Sequence, residues 1–533
     1  MYNNYTPLQQ RQLALQEYSN TQSTYLLVCA PARSTALKAT LTDQLHRKFR
    51  LVDRLDGELT ASVDGVLLAA EDVELMSTAL MYFAKALQDG ADYAVCNAVF
   101  GFGGATALYQ SQPLQAQNRC AVVSRALLER CRAAAHDPEN VPELLALAAQ
   151  LCTSPALIPQ ALLHYERGIC AEDAFSAHGK RAFIMSHVLD MTGAPIVLVS
   201  AVPVLRSMGY EVLVLGPSDG GSLHLFLDAG ASVITRSSCR NVSDAWGMAL
   251  CADFVIANTV VMARAVRALS GTAVPVLWWL HDAFAGYPHI AHQIPTQLGE
   301  NVRVYSVGSH AANAMHAVRP EFEIRPLIYG LPDYAAENFV RTDLGYNRGR
   351  PLFATVGSFE RRKGHDIFCK AIRLLPPEVR EKASFLFVGQ AADKEMMDSV
   401  RALTADYPEN VFYCKRLTRD EIKSLMEQCT GLVCASRDDP MPTFVTEGLI
   451  FGKPSIVSEH TGTAGLISEG RNGFVYHNDD PQQLAVLLEH AIEHPEELAS
   501  MRTECRKMYE QYYSKEAFEQ TLRAAVEDLT EKK

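Results

Sequence analysis

Residues 436–473 read SRDDPMPTFVTEGLIFGKPSIVSEHTGTAGLISEGRNG, and the rest of the chain is best read outward from them. Two acids, Asp439 and Glu447, stand eight positions apart across a short loop, with a helix expected to begin near the second. Five residues beyond Glu447 comes Gly452-Lys453-Pro454, then Ser455-Ile456-Val457, an apolar run that predicts a buried strand. The loop Thr461-Gly462-Thr463-Ala464-Gly465 follows and opens another apolar segment. The pattern predicts loop, helix, strand, loop and helix, with two helix N-termini beside strand ends. Backbone N–H groups in such places suit a phosphate, and carboxylates suit sugar hydroxyls. Taken alone, the stretch also reads as a βα turn with two solvated acids.

Upstream, Pro351 to Gly357 predicts a strand, followed by the basic turn Arg361-Arg362-Lys363 and then Gly364. Further strands are expected at 383–389, 411–414 and 431–435, and helices at 419–428 and 481–493. Strands alternating with helices indicate a doubly wound parallel sheet. An earlier alternation begins at Lys180 with KRAFIMSHVL, the loop Asp190 to Pro195, a helix over 196–208 and a strand over 210–215. Later strands fall at 232–235, 253–258, 274–280 and 302–307, and VPVLWWL ends in His281-Asp282. Polar residues at such a strand end face the crevice where open α/β sheets place ligands.

The motif Asp439, seven residues, Glu447, then Gly-Lys-Pro resembles the nucleotide-sugar signature of retaining glycosyltransferases of the GT-B fold, family 4. Asp439 stands where the family usually has a Glu. The resemblance covers about residues 178–510 and implies two Rossmann-like lobes facing a cleft. It implies transfer of a sugar from a nucleoside-diphosphate donor to an acceptor hydroxyl with retention, in glycan or polysaccharide synthesis. Glu447 would take the ribose hydroxyls, Asp439 the sugar hydroxyls, and Lys363 with Arg361 or Arg362 the diphosphate. Ser358 occupies the family's usual arginine place. Gly193 would let the loop approach the donor, His281 would contact the transferred sugar, and backbone near Gly462 and Thr463 would bind sugar or phosphate oxygens. No metal and no cofactor beyond the donor are implied. Without the resemblance, Gly193 reads as a tight turn, His281 as a structural histidine, and the basic turn as solvated. A sugar epimerase, a phosphorylase, or an inactive nucleotide-sugar-binding scaffold within a glycosylation complex are the rival readings.

Residues 24–168 form a smaller α/β region, with strands expected at 24–30, 64–70 and 91–98. Helices are expected at 36–49, 73–89, 119–135 and 141–152. This region resembles a degenerate GT-A domain of family 2. The place of its metal-binding Asp-x-Asp reads Ala69-Ala70-Glu71-Asp72, so the first acid is missing, and the place of its nucleotide acids, near Pro31-Ala32-Arg33-Ser34, lacks both. The resemblance therefore implies a domain without catalysis; the residues read equally as an unrelated α/β accessory domain, and either would serve docking, assembly or acceptor presentation. The expected division is a polar arm at 1–23, the accessory domain at 24–168, an acceptor-side lobe at 178–335, a donor-side lobe at 345–510 and a C-terminal helix at 511–533.

The length of 533 residues predicts two to four domains, and 48% hydrophobic with 21% charged residues describes a soluble globular chain. Forty-nine basic against 61 acidic side chains give a net charge of −12, which argues against a general nucleic-acid binder. Thirteen cysteines without metal-ligand spacing favour a reducing compartment. The N-terminus is polar and the apolar run from Ala194 to Leu205 is too short to span a bilayer. The expected location is cytoplasmic, with peripheral contact at the inner face of a membrane left open. Expected partners are the donor, a saccharide, lipid-linked or protein acceptor, and partner glycosyltransferases.

Overall fold

The computed structural model describes residues 23–30, 34–42, 44, 46–55, 60–70, 73–101, 106–110, 119–166, 179–236 and 248–531. The chain divides into two compact units, 2–255 and 256–533, with the boundary inside the strand Phe254–Asn258.

In the first unit, Leu26–Cys29 pairs in parallel with Phe49–Val52 and Gly65–Ala69. Gly65–Ala69 runs antiparallel to Cys120–Ser124, which borders Tyr93–Gly101. Tyr93–Gly101 also pairs with Thr106–Gln110 and Pro155–Glu166. Thr106–Gln110 then joins Ser232–Arg236 antiparallel, and the sheet continues in parallel through Tyr210–Gly216 to Lys180–Met185. The 24–168 region therefore shares a sheet with the strands that follow it.

Alternation explains how this sheet is covered. Leu26 and Val28 face a core with Leu37, Leu80 and Phe83, whereas Leu27 and Cys29 face one with Leu127, Leu144 and Leu145. A strand buried on both faces carries no polar alternation and resembles a buried helix in sequence. Three helix expectations are met only in part, the one over 119–135 for this reason. The 36–49 helix is only Thr35–Leu41, and Phe49 opens a strand. The 73–89 helix becomes the strand Glu74–Leu75 and the helix Ala79–Gln88. The 119–135 helix is the strand Cys120–Ser124 followed by Arg125–Ala134, whose N-terminus Ser124 caps by accepting from the Leu127 amide. Positions 31–33 and 71–72, most of the arm at 1–23 and most of the stretch between 166 and 179 lie outside the described residues.

In the second unit, Val276–Leu280, Val302–Ser306 and Ile324–Pro326 run parallel. A separate six-stranded parallel sheet has the order Val411–Cys414, Ser384–Val388, Leu352–Val356, Gly431–Cys434, Ser455–Ser458, Gly473–Tyr476. The strand order reverses between Leu352–Val356 and Gly431–Cys434. Crevices at the carboxyl ends of such neighbours are where open α/β sheets bind ligands.

The helix around Glu447 is Thr443–Ile450, so Glu447 lies inside it rather than at its start. The second expected helix is only the 3₁₀ turn Ala464–Leu466. Thr461 Oγ1 turns back to the Ser458 carbonyl at 2.9 Å, the local bonding by which threonine competes with a helix. The tail helix Lys515–Thr530 packs on Val276–Leu280, with the Phe518 ring stacked on Trp279 at 5.8 Å. Asp528 on the same helix bonds Arg325 at 2.8 Å.

Candidate active site at the strand switch

Leu352–Val356 feeds the 3₁₀ turn Arg361–Lys363, and Gly431–Cys434 feeds the loop carrying Asp439. The two neighbouring strand ends deliver an opposite pair: Lys363 Nζ lies 2.6 Å from Asp439 Oδ2, with 4% of the Asp439 side chain exposed. Gly364 makes this approach possible. Its φ of 65° is left-handed, and a Cβ there would meet the Ala435 carbonyl oxygen at 1.8 Å. Arg437 braces the turn from the other loop, with Nη1 2.8 Å and Nη2 2.9 Å from the two oxygens of Asp366 and Nη1 2.8 Å from the Arg361 carbonyl.

The members of the basic turn differ. Arg361 is exposed. Arg362 donates to the Asp438 carbonyl and to Glu360, each at 3.0 Å. Ser358 donates to Glu360 at 2.8 Å. His365 packs against Phe359 with ring centroids 4.4 Å apart. Burial, helped by the Lys363 charge, pushes its pKa down to about 3, so it adds no cation.

Glu447 is buried and bonds Arg419 at 2.5 Å, while the Arg419 guanidinium lies 4.3 Å from the centre of the Tyr334 ring. Burial raises the Glu447 pKa, and Arg419 counters only part of that shift. Arg419 opens the helix Arg419–Gln428 behind the reciprocal cap between Thr418 and Glu421. The capping pattern marks this helix start in the sequence, but nothing local to it names Glu447 as the partner of Arg419.

The Gly462 loop supports Asp439 from behind. Gly462 N–H donates to the Asp439 carbonyl at 2.9 Å, so that amide is engaged within the fold rather than offered to a ligand as expected. A Cβ at Gly462 would meet the Pro440 carbonyl oxygen at 1.7 Å, which explains glycine here. Thr463 is buried, its hydroxyl 3.3 Å from that of Thr461.

His281 follows Val276–Leu280, with its ring centroid 4.6 Å from that of Trp279. The neighbouring Asp282 carboxylate accepts from the Val260 amide at 2.6 Å, and burial pushes its pKa up to about 6. The turn Phe284–Gly286 then meets Asp438, which accepts from the Phe284 and Ala285 amides at 3.1 and 2.9 Å. His310 Nε2 lies 2.7 Å from the same carboxylate. Asp438 and His310 were not anticipated from the sequence, which marks only paired aspartates at 438 and 439. In the other unit, Gly193 is the first residue of the helix Gly193–Ser207, and a Cβ there would meet nothing within 4 Å.

The structure thus pairs Lys363 with Asp439, sets Arg361 and Arg362 in the same turn, and places Glu447 on the next helix. A lysine ammonium with three donors and a carboxylate with two oxygens leave capacity for a polar ligand after pairing. Among the described residues, no group of three or more His, Cys, Asp or Glu side chains is arranged to hold a metal ion. Among the same residues, no helix is long and apolar enough to cross a membrane.

Residues 178–321 match the family described as glycosyl-transferase family 4, and residues 337–508 match glycosyl transferases group 1. Over 195 residues the chain is 25% identical to an uncharacterized glycosyltransferase of Methanocaldococcus jannaschii, covering 36% of this chain and 53% of that protein. Over 146 residues it is 25% identical to the alpha-maltose-1-phosphate synthase of Mycolicibacterium smegmatis, covering 26% of this chain and 36% of that one. The chain thus spans about half or less of the curated relatives it matches. Anabaena HepE in complex with UDP superposes with a TM-score of 0.54 at 17% identity, over 66% of this chain and all of that one. Sucrose-phosphate synthase from Thermosynechococcus elongatus gives 0.54 at 15% identity, with the same coverage.

Proposed function

We infer that this chain, which has the GT-B fold and carries glycosyltransferase family 4 and group 1 segments, moves a sugar from a nucleoside-diphosphate donor to an acceptor hydroxyl. The observation that carries the reading is the Lys363–Asp439 pair, 2.6 Å long, at the point where the parallel strand order reverses. In this reading Lys363 passes from Asp439 to the donor diphosphate, and Asp439 turns to hydroxyls of the sugar. Arg361, exposed in the same turn, supplies a second cation, while Arg362 stays bonded to the loop. A leaving diphosphate gains charge as its bond to the sugar breaks, so fixed cations favour the transition state over the ground state.

Glu447 receives the ribose hydroxyls, oriented by Arg419. His281 contacts the transferred sugar. Transfer proceeds with retention of a hexosyl group and without a metal, the leaving phosphate itself taking the acceptor proton. Residues 178–335 serve as the acceptor side, 345–510 as the donor side, and 24–168 as a non-catalytic docking or acceptor-presenting region. The setting is glycan or polysaccharide synthesis in the cytoplasm. HepE is solved with UDP and with UDP-glucose, which makes a uridine donor the first to test.

The test is donor turnover with EDTA present, reading released nucleoside diphosphate and the anomeric proton of the product by NMR. Release of diphosphate with a retained anomer supports the reading. Nucleotide binding without turnover across a panel of acceptors moves the chain to the scaffold reading.

A further inference from the structure

Asp438 has no part in the expected motif, yet its carboxylate is among the most fully engaged in the second unit. One oxygen accepts from the Phe284 amide at 3.1 Å and lies 2.7 Å from His310 Nε2. The other accepts from the Ala285 amide at 2.9 Å. Only 15% of the Asp438 side chain and 5% of the His310 side chain are exposed. Burial alone would raise the Asp438 pKa, but His310 and the two amides outweigh it and hold the carboxyl below its ordinary value. The main-chain carbonyl of the same residue accepts from Arg362 at 3.0 Å. Asp439, the next residue, holds Lys363. His310 also braces the turn from its side, its ring centroid 5.1 Å from that of Phe284.

We propose that Asp438, held by His310, is a positioning residue that fixes the turn after His281 against the Lys363–Asp439 pair. The inference rests on the transferase reading above. The two sides it joins are far apart in sequence, 153 and 154 residues at the amides and 128 at the histidine. No short-range constraint holds them in register, and a carboxylate receiving three donors from the far side does so directly. In that reading the donor's phosphate contacts lie on residues 361–363 and its ribose contact on Glu447, and none of these side chains bonds the Asp438 carboxylate. What depends on it is the alignment of the His281 strand end with those contacts. A displacement of about 1 Å in such an arrangement costs up to about a hundredfold in rate.

The substitution Asp438→Asn is nearly isosteric but turns one acceptor oxygen into a donor that faces an amide N–H. We expect kcat to fall about tenfold or more while the Kd for UDP stays within about threefold of wild type. His310→Ala should reproduce the loss, and His310→Gln, which keeps a side-chain N–H donor, should recover part of it. Hydrogen exchange at the Phe284 and Ala285 amides should quicken in Asp438→Asn, with the Thr443–Ile450 amides unchanged. The proposal is overturned if Asp438→Asn turns over like wild type, or if kcat and UDP affinity fall together as in general unfolding. It is also overturned if His310→Gln is no better than His310→Ala. A wild-type protein that binds no nucleoside diphosphate removes the transferase reading and the catalytic role of the clasp together. Quickened exchange at the two amides would then mark the contact as structural only.

Discussion

The sheet region at 26–166 and the six-stranded sheet at 352–476 are both α/β layers with buried strands, and Asp92 in the first and Asp439 in the second show two uses of a carboxylate. In the first, Asp92 accepts from the Thr153 amide, the Thr153 hydroxyl and the Ser154 amide at 2.9, 2.7 and 2.8 Å. Burial would raise its pKa, but these bonds and Arg130 outweigh it and leave the carboxyl below its ordinary range. In the second, Asp439 and Glu447 are paired chiefly with the side chains of Lys363 and Arg419. A carboxylate locked into backbone amides is part of the fold's own hydrogen bonding. One paired with a lysine or arginine can exchange that partner for a ligand. Position in the sheet matches the contrast, because Lys363 and Asp439 follow the two strands at which the order reverses.

The largest test of this contrast is Lys363→Ala. Removing the cation should lower kcat about a hundredfold to a thousandfold, as for other groups that stabilise developing charge, and steady-state donor turnover reads it. Lys363→Arg should not restore the rate, since a planar fork replaces a point charge within 2.6 Å of Asp439. Next comes Phe518→Ala. Phe518 is 2% exposed and stacked on Trp279, so the truncation should cost about 3–5 kcal/mol in denaturant unfolding. Asp92→Ala strips one acceptor from three donors and should cost about 1–3 kcal/mol while leaving turnover unchanged. Loss of turnover in Asp92→Ala at undiminished stability would break the comparison.

The smallest effect concerns Asp282, whose pKa burial raises from 3.8 to about 6. Between those values the folded state holds a proton that the unfolded chain releases. The resulting stability is full below about pH 4 and lost as pH rises through about 6. Asp282→Asn keeps an acceptor for the Val260 amide, so it should flatten this part of the Tm–pH profile. An unchanged profile would show that Asp282 does not carry that proton.

Legibility in the sequence followed the range of the interactions. Val411–Cys414, Arg419–Gln428 and Pro481–Glu493 lie where periodicity places them, because their caps and turns are local. Lys363, Asp439 and Glu447 were visible because a motif with fixed spacing carries them. Arg419 was not, since its partner lies 28 residues away, and Asp438 and His310 were not, since 128 residues separate them. The strand Cys120–Ser124 gives a helical reading in sequence because Ala121-Val122-Val123 is buried throughout and shows no alternation. The Gly462 loop was read as a row of free amides, whereas the fold spends the Gly462 amide on holding Asp439.

The most direct test of the central claim is calorimetric titration of UDP, ADP and GDP into the wild-type chain and Glu447→Ala, with EDTA present throughout. One of the three nucleotides should bind the wild type, and Glu447→Ala should weaken that binding about a hundredfold, the loss of charge-assisted hydrogen bonds to two ribose hydroxyls. Binding of equal strength in both proteins would place the nucleotide elsewhere and contradict the assignment of the strand-switch site.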